Sequence, residues 1–218
     1  MTDDPKARLL AAILPHVPFD GWTDRAFRRA ARDAAIPEAE ARLLCPRGAS
    51  DLAALWHREG DREMRERLPG LAGLRLRLRE RVAAAVRDRT LRGDREVLRR
   101  SLAHYALPAN AAEGARLLWE TADAVWEALG DTSRDGNWYT KRATLAAVVA
   151  AAALFRVGDD SPDGAATAAF VDRRIADVMA FEAWKGTAGR NPLLRPLAAP
   201  LAWAVARVRA PSDAPKGR

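Results

Sequence analysis

Apolar residues recur along this chain at spacings of three and four, and proline or glycine interrupts the pattern at intervals. That period belongs to amphipathic helices, and the interruptions mark their ends. Leu9, Leu10, Ile13 and Leu14 share one face of a first helix from Pro5 to His16, closed by Pro15 and Pro18. Thr23 is the N-cap of a second, Asp24 to Ala35, with Phe27 and Ala31 facing inward. Pro37 opens a third helix reaching Cys45, and Ala49 or Ser50 a fourth through Trp56 to Arg58. A short helix then runs from Asp61 to Leu68. Leu74, Leu78, Val82 and Val86 carry the next to the Gly93-Asp94 break, and another extends to Leu107. Pro108 opens a helix bearing Leu117, Leu118, Ala122, Val125 and Trp126. Beyond the polar turn Gly130 to Gly136, a very apolar helix spans Trp138 to Val157. The loop Gly158 to Gly164 separates it from a last body helix with Phe170, Ile175, Val178, Met179 and Phe181. No alternating strand pattern competes, and the abundance of Ala, Leu and Arg favours helix. The fold class is all-α.

The formal charge is +7 over 218 residues, and its distribution is more informative than its size. Residues 1–60 hold nine basic and nine acidic side chains, whereas residues 185–218 hold seven basic ones against a single Asp213. The N-terminal part therefore balances to zero, and the excess lies in the tail. Cys45, the single cysteine, permits no internal disulfide. The start of the chain shows no basic and apolar signal-peptide pattern. The longest apolar run, Leu145 to Phe155, is about half of the ~20 residues a membrane span needs.

Three short helices followed by longer ones is the layout of TetR-type regulators, whose third helix enters the major groove. Here that helix is Pro37 to Cys45, with Glu38, Glu40 and a lone Arg42. Two carboxylates facing a phosphate lattice oppose the attraction that supplies nonspecific affinity. The expectation is a regulator-like shell without nucleic-acid binding. A repressor with a lipid effector is the alternative, and a plain scaffold without lipid is a third reading.

Several motifs stand together: His16-Val-Pro-Phe-Asp-Gly-Trp-Thr23, Cys45-Pro-Arg-Gly-Ala-Ser-Asp51, Thr121-Ala-Asp123-Ala-Val-Trp126, Asp160-Ser-Pro-Asp163 and Phe170-Val-Asp-Arg-Arg-Ile175. The most specific is the block from Gly130 to Arg142, which ends Asn-Trp-Tyr-Thr-Lys-Arg. Over about residues 5–185 the chain resembles the Coq-nine family of ubiquinone biosynthesis proteins. The resemblance implies a TetR-like homodimer that has lost DNA binding and binds lipids, including isoprenoid quinone intermediates. It also implies a partner, the di-iron hydroxylase that modifies demethoxyubiquinone on the membrane. By resemblance the hydroxylase-binding patch falls on Asp123, Asp135, Trp138 and Tyr139, with Asn137 at the same corner and Arg142 one turn on. The residues alone leave Trp138 open between interface and core, and Asp135 open between contact and helix cap.

The alanine-rich helix from Trp138 carries Leu145, Val148, Val149 and Phe155, which suit close packing. The resemblance adds a lipid chain among them, with Trp119, Trp126, Phe170, Met179 and Phe181 as walls. In the C-terminal segment Leu194, Leu197, Leu201, Val205 and Val208 form one apolar stripe, flanked by Trp203, Arg195 and Arg207. Such a stripe with arginines suits a helix lying in a membrane interface, and a last helix docked on the body or on a second copy is the alternative. The expected organisation is a helix-turn-helix-like part over 1–60 and a lipid-binding, dimerising bundle over 61–185. A joint over 186–191, a membrane-binding helix over 192–209 and a disordered tail over 210–218 complete it.

His16, His57 and His104 lack metal-ligand spacing, and His57 beside Glu59 reads as helix surface. No phosphate loop, nucleotide fingerprint or nucleophile motif occurs. The expectation is an accessory protein without catalysis, metal or cofactor, in a bacterial cytoplasm and peripheral to the inner membrane.

Overall fold

The structure, a computed structural model, describes residues 4–68, 76–131 and 136–188; for residues 136, 137 and 181–188 it describes the backbone alone. Among the described residues every regular element is a helix. In order they are α1 (Pro5–Ile13), α2 (Val17–Asp20), α3 (Asp24–Asp33), α4 (Glu38–Leu44), α5 (Ala49–Arg67), α6 (Leu78–Leu91), α7 (Arg95–Ala106), α8 (Pro108–Ala128), α9 (Gly136–Val157) and α10 (Ala165–Ala188). A 3-10 turn, Pro162–Gly164, precedes α10.

The helix starts follow from local chemistry. Asp4, Thr23 and Asp94 each accept a backbone N–H of the first turn with their side chains, satisfying groups that have no helical partner. Glu80 reaches back to the Arg77 N–H at 2.8 Å and fixes the start of α6. Asp159 closes the loop before α10 by accepting from the Ser161 and Thr167 backbone N–H groups at 2.9 and 2.8 Å.

The helix boundaries differ from the sequence pattern in three places. The first apolar segment ends at Ile13, and Val17–Asp20 forms its own turn with Pro18 at the second position, where a missing N–H costs nothing. The segments expected as two helices around Gly60 are one continuous helix, α5. Gly60 serves packing there, since a Cβ would lie 3.0 Å from the Arg89 guanidinium carbon. Finally, α10 runs through Gly186 to Ala188, so the first part of the expected joint is helical. Residues 189–218, with Leu194, Arg195, Leu197, Leu201, Trp203, Val205, Arg207 and Val208, lie outside the described residues.

Two apolar clusters organise the packing. One joins α1, α3, α4 and the first half of α5 around Leu9, Ile13, Phe27, Ala30 and Leu52. The other joins α6, α8, α9 and α10 around Val86, Val125, Leu145 and Val171, and receives Met64 from the second half of α5. Polar bonds tie the N-terminal helices to α7: the Trp22 indole donates to Ser101 Oγ at 2.8 Å, and Arg100 to the Pro18 carbonyl at 2.8 Å. Among the described residues no helix is long and apolar enough to cross a membrane.

A buried polar network crosses from α5 to α6 and α8. Arg89 Nε donates to Asp61 at 2.6 Å, and Thr121 Oγ1 lies 2.9 and 3.0 Å from the two carboxylate oxygens. The carboxylate only accepts, so Thr121 donates to it and receives His57 Nε2–H, 2.9 Å away. His57 is therefore not a surface residue. The unbroken α5 turns it toward α8, and burial pushes its pKa from 6.5 down to about 3. Below pH 6.5 the unfolded chain takes up a proton that folded His57 refuses, so stability falls as the pH drops from 6.5 toward 3. The slope is about 1.4 kcal/mol per pH unit. Urea denaturation at pH 7 and pH 5 checks this: wild type loses about 2 kcal/mol through this residue, and His57→Gln shows a flatter dependence.

Candidate functional site

The first turns of α9 pack against the end of α8, and the side chains there form a compact cluster. Trp138 and Tyr139 meet edge to face with ring centroids 4.7 Å apart. Trp119 of α8 lies 5.8 Å from the first and 6.1 Å from the second. All three rings are half-buried. Neighbouring positions on a helix diverge by about 100°, so two adjacent rings cannot both turn inward, and they tile the surface around Trp119 instead.

Beneath them lies Arg142, 2 % exposed. Its guanidinium stands 3.9 Å from the Trp138 ring centroid. It donates to Asp123 at 2.5 Å, and to Asp131 and the Trp138 carbonyl at 3.3 Å each. Arg142 thus supports the aromatic corner from below, while Asp123 is half-buried at its edge. Asp131 also receives Lys141 Nζ at 2.8 Å. Lys141 sits 5.2 Å over the Trp126 ring, and its carbonyl accepts the Trp126 indole N–H at 3.3 Å. Asp135 and the Asn137 side chain lie outside the described residues.

Beside this corner, reached through Lys141, α6, α8, α9 and α10 line a partly open cavity of about 200 Å³. Trp126, Leu145, Val148 and Met179, all expected to face a lipid, line it together with Val82, Ile175 and Val178. Other expected wall residues lie elsewhere. Val149 turns to a second cavity of about 350 Å³ between α5, α6, α7, α8 and α9. Trp119 belongs to the surface cluster, and Phe155 stacks on Phe170 with centroids 4.5 Å apart. Phe155 is 37 % exposed, so that pair lies at the surface rather than in the first cavity. The Phe181 side chain is outside the described residues. Sequence reasoning assigned no role to Lys141 or Asp131. Both lie inside the most specific motif, but their pairing needs the turn that folds α9 back on α8.

At the other end of the molecule, α4 keeps its arginine for internal contacts. Arg42 pairs with Asp24 and stacks 4.7 Å over Phe27, whereas Glu38 and Glu40 are exposed. Arg28 pairs with Asp24, and Arg29 with Asp20 at 2.7 Å.

Residues 111–182, which hold the aromatic corner and most of the first cavity's wall, match the family model COQ9. The chain is 32 % identical over 180 residues to the ubiquinone biosynthesis protein COQ9 of Rattus norvegicus, covering 79 % of this chain and 58 % of that protein. The chain is similar to COQ9 proteins over about four-fifths of its length. The Homo sapiens COQ9 protein is likewise 32 % identical, over 79 % of this chain and 57 % of its own length. The Schizosaccharomyces pombe protein is 29 % identical over 81 % of this chain and 70 % of its length. The chain thus spans somewhat more than half the length of these mammalian COQ9 proteins. All three relatives are named mitochondrial, which corrects the expectation of a bacterial protein at the inner membrane.

Proposed function

We propose that this chain is a COQ9-family protein, a lipid-binding accessory of ubiquinone biosynthesis. It takes up isoprenoid quinone intermediates and presents them to the di-iron demethoxyubiquinone hydroxylase. The observation that carries this reading is adjacency. Trp138 and Tyr139 form the aromatic corner, and within three turns of the same helix Lys141, Leu145 and Val148 line the apolar cavity. In this reading the corner docks the hydroxylase, with Asp123 at its edge and Arg142 bracing it from within, and Asp135 and Asn137 join the contact by resemblance. Each CH₂ of an isoprenoid buried in the cavity adds about 0.8 kcal/mol. The about 200 Å³ available suits a segment of such a chain rather than its whole length. The larger second cavity has no such link to the corner.

The protein contributes binding and orientation, and the hydroxylase contributes the chemistry. The apolar stripe from Leu194 to Val208 rests on an anionic membrane surface, where each nearby arginine adds about 1 kcal/mol. The working unit is a homodimer; Leu154, 64 % exposed beside the Phe155–Phe170 pair, supports an apolar contact between copies. The internal pairing of Arg42 and the exposed carboxylates of α4 weigh against the repressor alternative.

Organic extraction of the purified protein followed by mass spectrometry tests the lipid reading. Wild type should yield an isoprenoid lipid, and Leu145→Trp, which fills the cavity, should yield little or none. An extract of folded wild type that contains no lipid would favour the plain scaffold.

A further inference from the structure

Leu78 opens α6 and is 47 % exposed, yet it also lines the first cavity, so it stands at that cavity's mouth. One helical turn further, Val82 continues the same line and is buried. At about 100° per residue, Arg77 and Arg81 fall on one flank of the Leu78–Val82 line and Arg79 on the other. Arg77 and Arg79 are exposed, and Arg81 is half-buried. Three arginines thus surround an exposed leucine at the opening of an apolar cavity.

Arginines elsewhere in the bundle have partners in the fold: Arg67 meets Asp88 at 2.9 Å, Arg87 meets Asp172 at 2.8 Å and Arg174 meets Asp177 at 2.7 Å. At the mouth Arg79 has only Glu80, at 4.0 Å and in contact with solvent, where such a pair is weak. Glu80 is also engaged at the Arg77 N–H, where it caps the helix. No ion pair among the described residues includes Arg77 or Arg81. Three arginines against one glutamate leave two positive charges in excess beside the leucine.

The helices α6 and α10 run antiparallel, since Leu78 shares the cavity with Val178 and Met179 whereas Arg87 reaches Asp172. The end of α10, Ala188, therefore lies toward the end of the bundle where α6 begins. Leu194, the first residue of the arginine-flanked apolar stripe, is six residues beyond Ala188, at most about 20 Å of extended chain. The chain that bears the stripe departs from the same end of the bundle as the mouth.

We infer that Arg77, Leu78, Arg79 and Arg81 form a second membrane-docking surface, which seats the cavity mouth on anionic phospholipid. Leu78 enters the interface and the three guanidinium groups take lipid phosphates. A lipid tail can then pass from bilayer to cavity without crossing water. The docking itself rests on exposure and charge; only the passage of a tail rests on the lipid reading above.

Flotation of the full chain at low salt tests this surface, with vesicles of phosphatidylcholine alone and of phosphatidylcholine and phosphatidylglycerol in equal parts. Wild type should bind the anionic vesicles far more tightly, and added salt should weaken that binding. Each arginine near an anionic surface strengthens binding about fivefold, so Arg77→Gln with Arg79→Gln and Arg81→Gln should weaken it about 100-fold. Arg25→Gln with Arg28→Gln and Arg32→Gln removes the same charge from exposed positions of α3 and should change little. Leu78→Cys carrying an environment-sensitive nitrobenzoxadiazole label should shift its emission to the blue on anionic vesicles; Cys45, 0 % exposed, does not compete for the label. An unshifted label, or an α6 triple variant that binds like the α3 variant, would overturn the inference while leaving the C-terminal stripe as the membrane contact. Weaker hydroxylase binding by the α6 variant with unchanged vesicle binding would assign the arginines to a protein partner and overturn it as well. Wild type that binds neither vesicle would overturn both membrane contacts, and the lipid reading would still be decided separately by the extraction.

Discussion

Asp61→Ala should cost about 3–5 kcal/mol of folding stability, the cost of stranding a buried charge. Asp61 is 4 % exposed and accepts from Arg89 at 2.6 Å and from Thr121 at 2.9 Å. With the carboxylate gone, the Arg89 guanidinium keeps its bond to the His57 carbonyl but loses its counter-charge. Thr121 and His57 lose the acceptor that orders them. A domain's whole stability is about 5–15 kcal/mol, so a large fraction disappears. At about 2–4 °C per kcal/mol for a chain of this length, the melting midpoint should fall by roughly 10 °C. Replacing both partners, Asp61→Leu with Arg89→Met, removes the stranded charge and should recover most of that loss. Thermal unfolding of wild type, the single variant and the double variant is the measurement. A single variant as stable as wild type would show that the network carries no weight at the α5–α6–α8 crossing.

The same network shows where sequence reasoning stops. Helix positions followed directly from period and punctuation: Thr23, Asp94 and Pro108 each stand at the start of a helix, as their backbone and side-chain chemistry requires. Gly60 misled because a glycine inside a helix can serve close packing as well as a break. Only the approach of Arg89, 29 residues later in the chain, distinguishes the two. His57 misled for a related reason: the residues that follow it, Arg58 and Glu59, are charged, but its ring turns to Thr121 of α8. The aromatic corner was legible as a motif, while its construction was not. That Arg142 lies beneath the rings and that Asp131 bridges two cations are consequences of α9 folding back on α8, a contact that no local pattern encodes. Likewise, helical period grouped Leu145 and Val148 with Val149 as apolar. It could not assign the first two to one cavity and the third to another.

The aromatic corner carries the second large effect. Trp138 is held by the Arg142 guanidinium on its ring and by Trp119 at its side, so its position is set before a partner arrives. A pre-positioned aromatic loses little side-chain freedom on binding, and such rings supply 2 kcal/mol or more when they anchor an interface. Trp138→Ala with Tyr139→Ala should therefore weaken hydroxylase binding at least about 30-fold. Both rings are half-buried at the surface, so the variant should stay folded, with its helical content intact.

The affinity of the demethoxyubiquinone hydroxylase for wild type and for this double variant, measured by calorimetry on the folded full chain, tests the presenting role most directly. A dissociation constant raised about 30-fold or more is the expected result. An unchanged constant in a folded variant, or no measurable binding by wild type, would contradict a docking corner built on Trp138 and Tyr139.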